Sequence, residues 1–380
     1  MNKGFLFSWT LLVTLGMFFA AHSRELSIIK AHAVAPSTLT HSSYLIGGAV
    51  GKIDTTIGVF FYDNDKLILA YEFETKTKNI VDFTQFIKNI LEDLKRDYNI
   101  IIRHACFGVP GNPSAYQEFI QPFYISFAVD ALEIIRSTDL ETVKVMNDFE
   151  VIGYGIDALH PDSIIQINPR IARYHGAKAV VGAGAGVGSC LMVWDALRSD
   201  YMSSSLGFCY SDFVAQNHYE LELCEFVQKV TPGYNVSWGK MLGATSGIIK
   251  MYDFLKLKHD QSEHPLKDTN IFSVENMQDI FDRASTNTLC KESVALYMKL
   301  YTRLIRNVAY TTLPYGGLYI TNTTAEKNPH LFTNGLFFDE FLNCNNDALK
   351  EILQEIPLYV ITDPKVRLYG AARYLLITMR

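Results

Sequence analysis

Several familiar signatures are missing from this sequence. Its six cysteines (Cys106, Cys190, Cys209, Cys224, Cys290 and Cys344) show no CxxC and no metal-ligand spacing, so no metal centre is indicated. Positive charge is not in excess either. Thirty-four Lys and Arg face 40 Asp and Glu, the formal net charge is -6, and there is no basic stripe, so nucleic acid is not indicated as a partner. Apolar runs of membrane-spanning length are absent after the first twenty-odd residues. Two phosphate-binding fingerprints also fail. In Val181–Gly188 the glycines fall at every second position, unlike a dinucleotide-binding turn, and Gly47–Lys52 is broken at both ends as a Walker loop by Ile46 and Ile53.

What is present describes a folded α/β chain. Of 380 residues, 48% are hydrophobic and 19% charged. That balance is ordinary for globular cores, and the length suits about two domains at roughly 150 residues each. The N-terminus stands apart. Lys3 precedes the uncharged apolar stretch Phe5–Ala21, and Ala21-His22-Ser23 is followed by Arg24-Glu25. A secretory signal peptide over residues 1–23 is expected, which places the protein in the secretory pathway or outside the cell. The alternatives are an uncleaved membrane anchor, since the stretch is near the ~17-residue lower limit of a span, and a core element. Mass spectrometry of the soluble protein should find its first residue near Arg24, and an intact Met1 would reject cleavage. Secretion would permit disulfides, although no pairing is evident, and it gives meaning to two sequons, Asn235-Val-Ser237 and Asn322-Thr-Thr324.

Periodicity outlines the rest. After a polar linker over His32–Ser43, Ile57–Phe61 and Leu67–Phe73 read as a hairpin around Asp63-Asn-Asp65. Phe83, Phe86, Ile87, Ile90, Leu91 and Leu94 mark an amphipathic helix within Ile80–Tyr98. Ile100–Val109 and Val143–Met146 read as strands, and Phe149–Leu159 as a helix. The pattern restarts at Ala179–Val181 and Cys190–Trp194. Helices follow over Tyr219–Val230, Ser246–Leu257, Val274–Asp282 and Cys290–Tyr310. Leu318–Thr321, Phe332–Phe338 and Leu358–Thr362 read as the last strands, and Val366–Met379 as a closing helix. The fold class is α/β in two lobes, with a cleft expected between them where strand ends meet helix starts.

Two constellations could carry chemistry. The hairpin Val181-Gly-Ala-Gly-Ala-Gly-Val-Gly188 could cradle a phosphate on bare backbone amides, with Gly182, Gly184 and Gly186 at closest approach. It could equally be a tight hairpin without a ligand. Asn147-Asp148 ends a strand, where Asp148 could accept a hydroxyl proton or cap the following helix.

Residues Tyr44–Arg380 resemble the bacterial-type glucokinase family of the sugar kinase and actin superfamily. The likeness rests on Val143-Lys-Val-Met-Asn-Asp-Phe-Glu150, Val181–Gly188, Pro110-Gly-Asn112, Gly316-Gly317, Ile356-Pro-Leu-Tyr-Val-Ile-Thr-Asp-Pro364 and Leu368-Tyr-Gly-Ala-Ala372, in order and at family spacing. The resemblance implies two ribonuclease H-like lobes. The small one would span residues 44–157 and 366–380, and the large one 158–365. It implies transfer of a phosphoryl group from ATP, with magnesium, to the 6-hydroxyl of glucose. Asp148 would be the general base and Asn147 a sugar ligand. Gly51, Lys52 and the hairpin glycines would face the phosphates.

Against this pattern stand several departures. The acidic residue of the first phosphate loop is Gly48, so no metal ligand is assigned. Lys52 could still touch a phosphate, and Asp54 could replace the carboxylate if the loop were re-registered. A sugar-binding amide is Ile120, in Phe119-Ile-Gln-Pro-Phe123. A glutamate and a histidine that hold sugar hydroxyls become Gly207 and Tyr210, a later glutamate falls near Gly239, the hairpin threonine is Ala185, and a glycine pair by the adenosine site is Asn322-Thr323. Tyr210 is kept as a substrate-facing position. A hydrogen bond to a charged partner is worth roughly 1.5–3 kcal/mol. Losing the histidine and two carboxylates costs on the order of 5 kcal/mol, about four powers of ten in sugar affinity. Three readings follow: a working sugar kinase, an inactive member that binds a small sugar or another ligand, or a structural secreted protein. A membrane is a partner only if the N-terminal segment stays uncleaved, and the choice between monomer and homodimer is left open.

Overall fold

The computed structural model describes residues 27–31, 44–63, 66–122, 124–231, 233, 235–243, 247–260 and 277–379. The proposed signal segment lies outside them, as do the whole linker His32–Ser43, Asn64 and Asp65 of the expected hairpin turn, Phe123, Ser246 and the start of the helix expected at Val274. Contacts divide the chain into two compact units, one ending at Asp148 and regaining Tyr374–Met379, the other spanning Phe149–Arg373.

The first unit is built on a six-stranded sheet. Its strands are β1 (Ser27–Ala31), β2 (Tyr44–Val50), β3 (Asp54–Asp63), β4 (Lys66–Lys76), β5 (Ile102–Val109) and, after the short pair β6 (Phe119–Ile120) and β7 (Val129–Asp130), β8 (Thr142–Asn147). The spatial order is β1-β4-β3-β2-β5-β8. The β2–β3–β4 meander is antiparallel, whereas β2–β5 and β5–β8 are parallel. Helix Phe83–Tyr98 starts at Asp82, whose carboxylate accepts from Gln85 N, and ends at Asn99 in the left-handed region. It buries Phe83, Ile87, Ile90 and Leu94 against Ile46, Phe73 and Phe107.

The second unit repeats the scheme. Its strands are β9 (Ile164–Gln166), β10 (Lys178–Ala183), β11 (Val187–Asp195), β12 (Asp200–Ser205), β13 (Gly317–Thr321) and β14 (Leu358–Ile361), in the order β12-β11-β10-β13-β14-β9. Again three strands form an antiparallel meander and two join in parallel. The meander-plus-parallel order, present twice, is the ribonuclease H-like arrangement. One sheet face is covered by helix Thr288–Thr312, on which helix Gly247–Asp260 packs, and Leu255, Leu300, Leu304 and Ile305 share a buried core with Ala179, Val181 and Ile320.

The sequence places a domain boundary after residue 157 and the return at residue 366, while the contact division falls at Asp148/Phe149 and Tyr374. Packing inside the second unit accounts for the difference. Helix Asp148–Gly155 turns Gly153 toward Ser203, Met192 and Cys190, and Gly155 toward the carbonyl of Val366. Within the closing helix Val366–Thr378, a Cβ on Gly370 would lie 1.6 Å from the Val151 carbonyl oxygen. Backbone touches backbone there, so the helices must part to admit even a methyl group. Gly370→Ala should cost about 1–3 kcal/mol, read as a lower midpoint in chemical denaturation, and an unchanged midpoint would contradict this close crossing.

One expected strand is absent. Phe332–Phe338 forms parts of two short helices, His330–Thr333 and Gly335–Phe341. Asn334 caps the second by accepting from Phe337 N at 3.0 Å. Phe332, Phe337 and Phe341 then share one buried aromatic cluster, with centroids 5.3 and 6.4 Å apart along the series. The aromatic run satisfies a helical face once the cap sets its start. All six cysteines are free, and no helix among the described residues is long and apolar enough to cross a membrane.

Candidate functional site

In the first unit, the ends of the parallel strands bring two of the sequence motifs together. Val109 and Asn147 are register partners at the ends of β5 and β8. The Asn147 amide donates to the Gly111 carbonyl at 2.9 Å. Gly111 sits at φ 142°, a conformation that favours glycine, so the Pro-Gly-Asn turn presents its carbonyl to Asn147. Asn147 and Asp148 are both half-buried. Ile120, at the position of an expected sugar-binding amide, is fully buried, and its Cγ2 lies 2.9 Å from where a Gly111 Cβ would be. It seals the turn from below and offers no polar atom.

The loop expected to face the phosphates is less open than its glycines suggest. Gly48 is buried in β2 between β3 and β5, and a Cβ there would lie 2.4 Å from Phe107 Cδ1 and 3.0 Å from Ile57 Cδ1. The space a carboxylate would need is filled by apolar side chains. Gly51 uses its N–H on the Asp54 carbonyl at 2.9 Å, and its carbonyl accepts the Thr77 hydroxyl at 2.6 Å. Lys52 is exposed, with Nζ 4.9 Å from the centroid of the Tyr124 ring. Asp54 pairs with Lys76 at 2.6 Å and opens β3 in register opposite that lysine.

In the second unit, the glycine hairpin joins β10 to β11. Its glycines are mostly accounted for by packing. A Cβ on Gly188 would lie 2.2 Å from the Phe149 ring, and one on Gly182 2.7 Å from the Thr321 carbonyl oxygen and 3.0 Å from Asn322 Cβ. A Cβ on Gly184 would lie 2.9 Å from Asn322 Oδ1 and 3.1 Å from Thr323 Oγ1, while only Gly186 has nothing within 4 Å. Two amides at the mouth are already bonded: Ala183 N donates to Tyr301 Oη at 2.9 Å and Gly184 N to the Gly186 carbonyl at 2.8 Å. Burial raises the Tyr301 phenol well above its ordinary pKa, which keeps it neutral.

Asn322 is the unusual neighbour. Its backbone lies at φ 78°, ψ 170°, a region essentially reserved for glycine and costing another residue on the order of 1–3 kcal/mol. Its Oδ1 accepts from Thr323 N and from Arg367 Nη2, each at 2.9 Å. Glu326, mostly buried, lies 4.0 Å from Arg367, and desolvation raises its pKa although the arginine opposes the shift. Arg367 and Thr321 were not legible as members of this cluster; the arginine sits in a helix whose sequence showed only an apolar face.

Of the positions expected to face the sugar, Gly207 and Tyr210 lie in the 3-10 turn Gly207–Tyr210, with Tyr210 exposed. A Cβ at Gly207 would meet only Tyr210 Cδ2, at 3.5 Å, so a side chain is tolerated there; at Gly239 it would press on the Cys209 carbonyl oxygen at 3.0 Å. Close in sequence, Asp212 bridges to Ser237 and accepts from the Asn235 amide. Behind them lies a buried ion pair that the sequence did not reveal. Arg303 Nη1 bonds Glu220 Oε2 at 2.8 Å, and its guanidinium stacks 4.8 Å from the Phe213 centroid and 5.4 Å from that of Trp238.

These arrangements can be set beside known proteins. The family model described as Glucokinase matches residues 46–377. The glucokinase of Nostoc punctiforme is 23% identical over 342 residues, covering 86% of this chain and 97% of that protein. That of Yersinia enterocolitica is 22% identical over 336 residues, covering 88% and 97%. Among solved structures, the Balamuthia mandrillaris glucokinase in complex with glucose superimposes with a TM-score of 0.72 at 15% identity, covering 98% of this chain and 100% of that one. A ROK family glucokinase from Streptomyces griseus, in complex with glucose and AMPPNP, gives 0.56 at 13%, covering 88% and 99%. With the family model spanning nearly all of the described fold, the chain belongs to the glucokinase family.

Proposed function

We propose that this protein is a glucokinase-family member that keeps the Asn147–Asp148 end of the sugar site but has lost ATP-dependent transfer to the 6-hydroxyl of glucose, and acts by binding a small sugar. One observation carries the loss: the metal-organising carboxylate is Gly48, and Phe107 fills the space it would occupy. Magnesium at an ATP site takes one or two protein carboxylates together with phosphate oxygens. Here the expected carboxylate is Gly48, and Asp54 is ion-paired with Lys76. Phosphoryl transfer depends on positioning and on neutralising charge that develops on the phosphate oxygens. Without the carboxylate and with Gly51's amide engaged, the first loop supplies little of either.

Support for retained sugar binding comes from the glucose-bound relative and from Asn147 and Asp148 standing at the end of β8. Lost hydroxyl partners at Gly207, Tyr210, Gly239 and Ile120 weaken that binding, so the dissociation constant for glucose is expected in the millimolar range or above. Titration calorimetry with glucose and with magnesium-ATP separately tests the proposal. Heat with glucose that disappears in Asn147→Ala, and none with magnesium-ATP, is the expected result. Tight magnesium-ATP binding, or glucose heat unchanged in Asn147→Ala, contradicts it.

The retained Asp148 favours the second reading, a working kinase. In that case Asp148→Ala should abolish turnover in a coupled ATP assay and leave sugar affinity within about tenfold, because a base acts on the transition state.

A further inference from the structure

The glycine hairpin of the second unit has an occupant supplied by the chain itself. Asn322 follows β13, whose Thr321 is the register partner of Gly182. Its side chain lies along the hairpin arm, with Oδ1 2.9 Å and Cγ 3.0 Å from the position of a Gly184 Cβ. It is 8% exposed. It is held there against an unfavourable backbone, at φ 78°, ψ 170°, by bonds to Oδ1 from Thr323 N and Arg367 Nη2, each at 2.9 Å, and a longer one from the Thr323 hydroxyl at 3.5 Å. A non-glycine residue persists in such a conformation only where its surroundings over-determine it, and an outlier of this kind points toward function. The polar groups around it are not optimised for each other. Thr321 Oγ1, on a fully buried residue, and Arg367 Nε are both buried without a hydrogen-bond partner among the described residues.

We propose that Asn322, pinned by Arg367, is a side-chain plug that closes the Gly182–Gly184 arm to a polyphosphate and so sets what the large unit excludes. The inference rests on the reading of this hairpin as the phosphate-facing element. Its physical basis is space and bonding. A polyphosphate approaches a glycine arm closely because no Cβ intervenes. Here the approach to Gly184 is taken by an amide oxygen, whose partial negative charge also repels a phosphate. Glycine at position 322 removes that oxygen and suits the observed φ and ψ without strain. Leucine at position 367 leaves Oδ1 with Thr323 alone, through its N–H and a long bond from its hydroxyl, and loosens the side chain.

The test is ATP binding by titration calorimetry to wild type, N322G and R367L, with melting temperatures recorded in parallel. Each titration is run with magnesium and with EDTA, because the plug acts without a metal. N322G should bind ATP at least tenfold more tightly than wild type under both conditions, and R367L should move the same way by a smaller factor. N322G should also melt no lower than wild type. Equal ATP affinity in wild type and a folded N322G overturns the plug, as does tighter binding by wild type. Turnover by wild type would instead overturn the functional proposal above and leave the comparison of affinities to decide this one. If R367L fails to fold, the N322G comparison still decides.

Discussion

Arg303→Met is expected to lower the stability of the second unit by about 3–5 kcal/mol, a fall in melting temperature on the order of 10 °C. The Arg303 and Glu220 side chains are 5% and 3% exposed, so both charges are out of water. Their one bond at 2.8 Å leaves Glu220 Oε1 and Arg303 Nη2 without partners among the described residues. Methionine matches the length of the arginine stem and can keep the contact with Phe213 and Trp238. What it cannot do is compensate Glu220, whose remaining donor is the Gln216 amide at 2.8 Å. The loss is therefore the cost of an uncompensated buried carboxylate rather than of lost packing. Thermal denaturation of Arg303→Met, Glu220→Gln and the double variant separates the two. The double variant should melt above Arg303→Met, because both charges are gone. A double variant that loses the sum of the two single losses would contradict coupling and point to packing alone.

Restoring the family's carboxylate by Gly48→Asp should damage the protein rather than revive it, at a cost of several kcal/mol. A Cβ at this site lies 2.4 Å from Phe107 Cδ1, in a strand buried between two others. Apolar surroundings raise the folded-state pKa of the new carboxyl above its unfolded value of about 3.9. Below that value the group is protonated in both states and only the steric cost remains. As pH rises through it, the unfolded chain releases its proton first, so the penalty grows with pH and levels off above the folded pKa. The gap in melting temperature between wild type and Gly48→Asp should therefore widen from about pH 4 to pH 7. A constant gap would mean that the carboxylate reaches solvent, and with it that the first loop can still be rebuilt as a metal site.

Much of the fold was legible because it obeys short-range rules. The Phe83–Tyr98 helix declares itself through its apolar spacing, and the β3–β4 hairpin through its alternating strands and its turn. Phe332–Phe338 was misread because an aromatic run suits a strand as well as a helix, and the cap at Asn334 is a single side-chain bond that periodicity does not register. Site residues were proposed wherever a motif carried them, as with Asn147, Asp148 and the hairpin. What no motif could carry is the company those residues keep. Phe107 is about sixty positions from Gly48, and Arg367 is 45 from Asn322. That the hairpin glycines accommodate Phe149 and Asn322 shows only once the strands are paired.

Each of these contacts bears on the proposal that the chain's own side chains stand where the family's chemistry needs open space or a carboxylate. The Gly48–Phe107 contact states it most plainly. A coupled ATP-turnover assay on the wild-type protein, with glucose and magnesium at saturating concentration, tests it most directly. The account predicts no turnover above the no-enzyme control, and the same trace from Asp148→Ala. Turnover at about 1–100 per second, the range usual for kinases, abolished in Asp148→Ala, would contradict it.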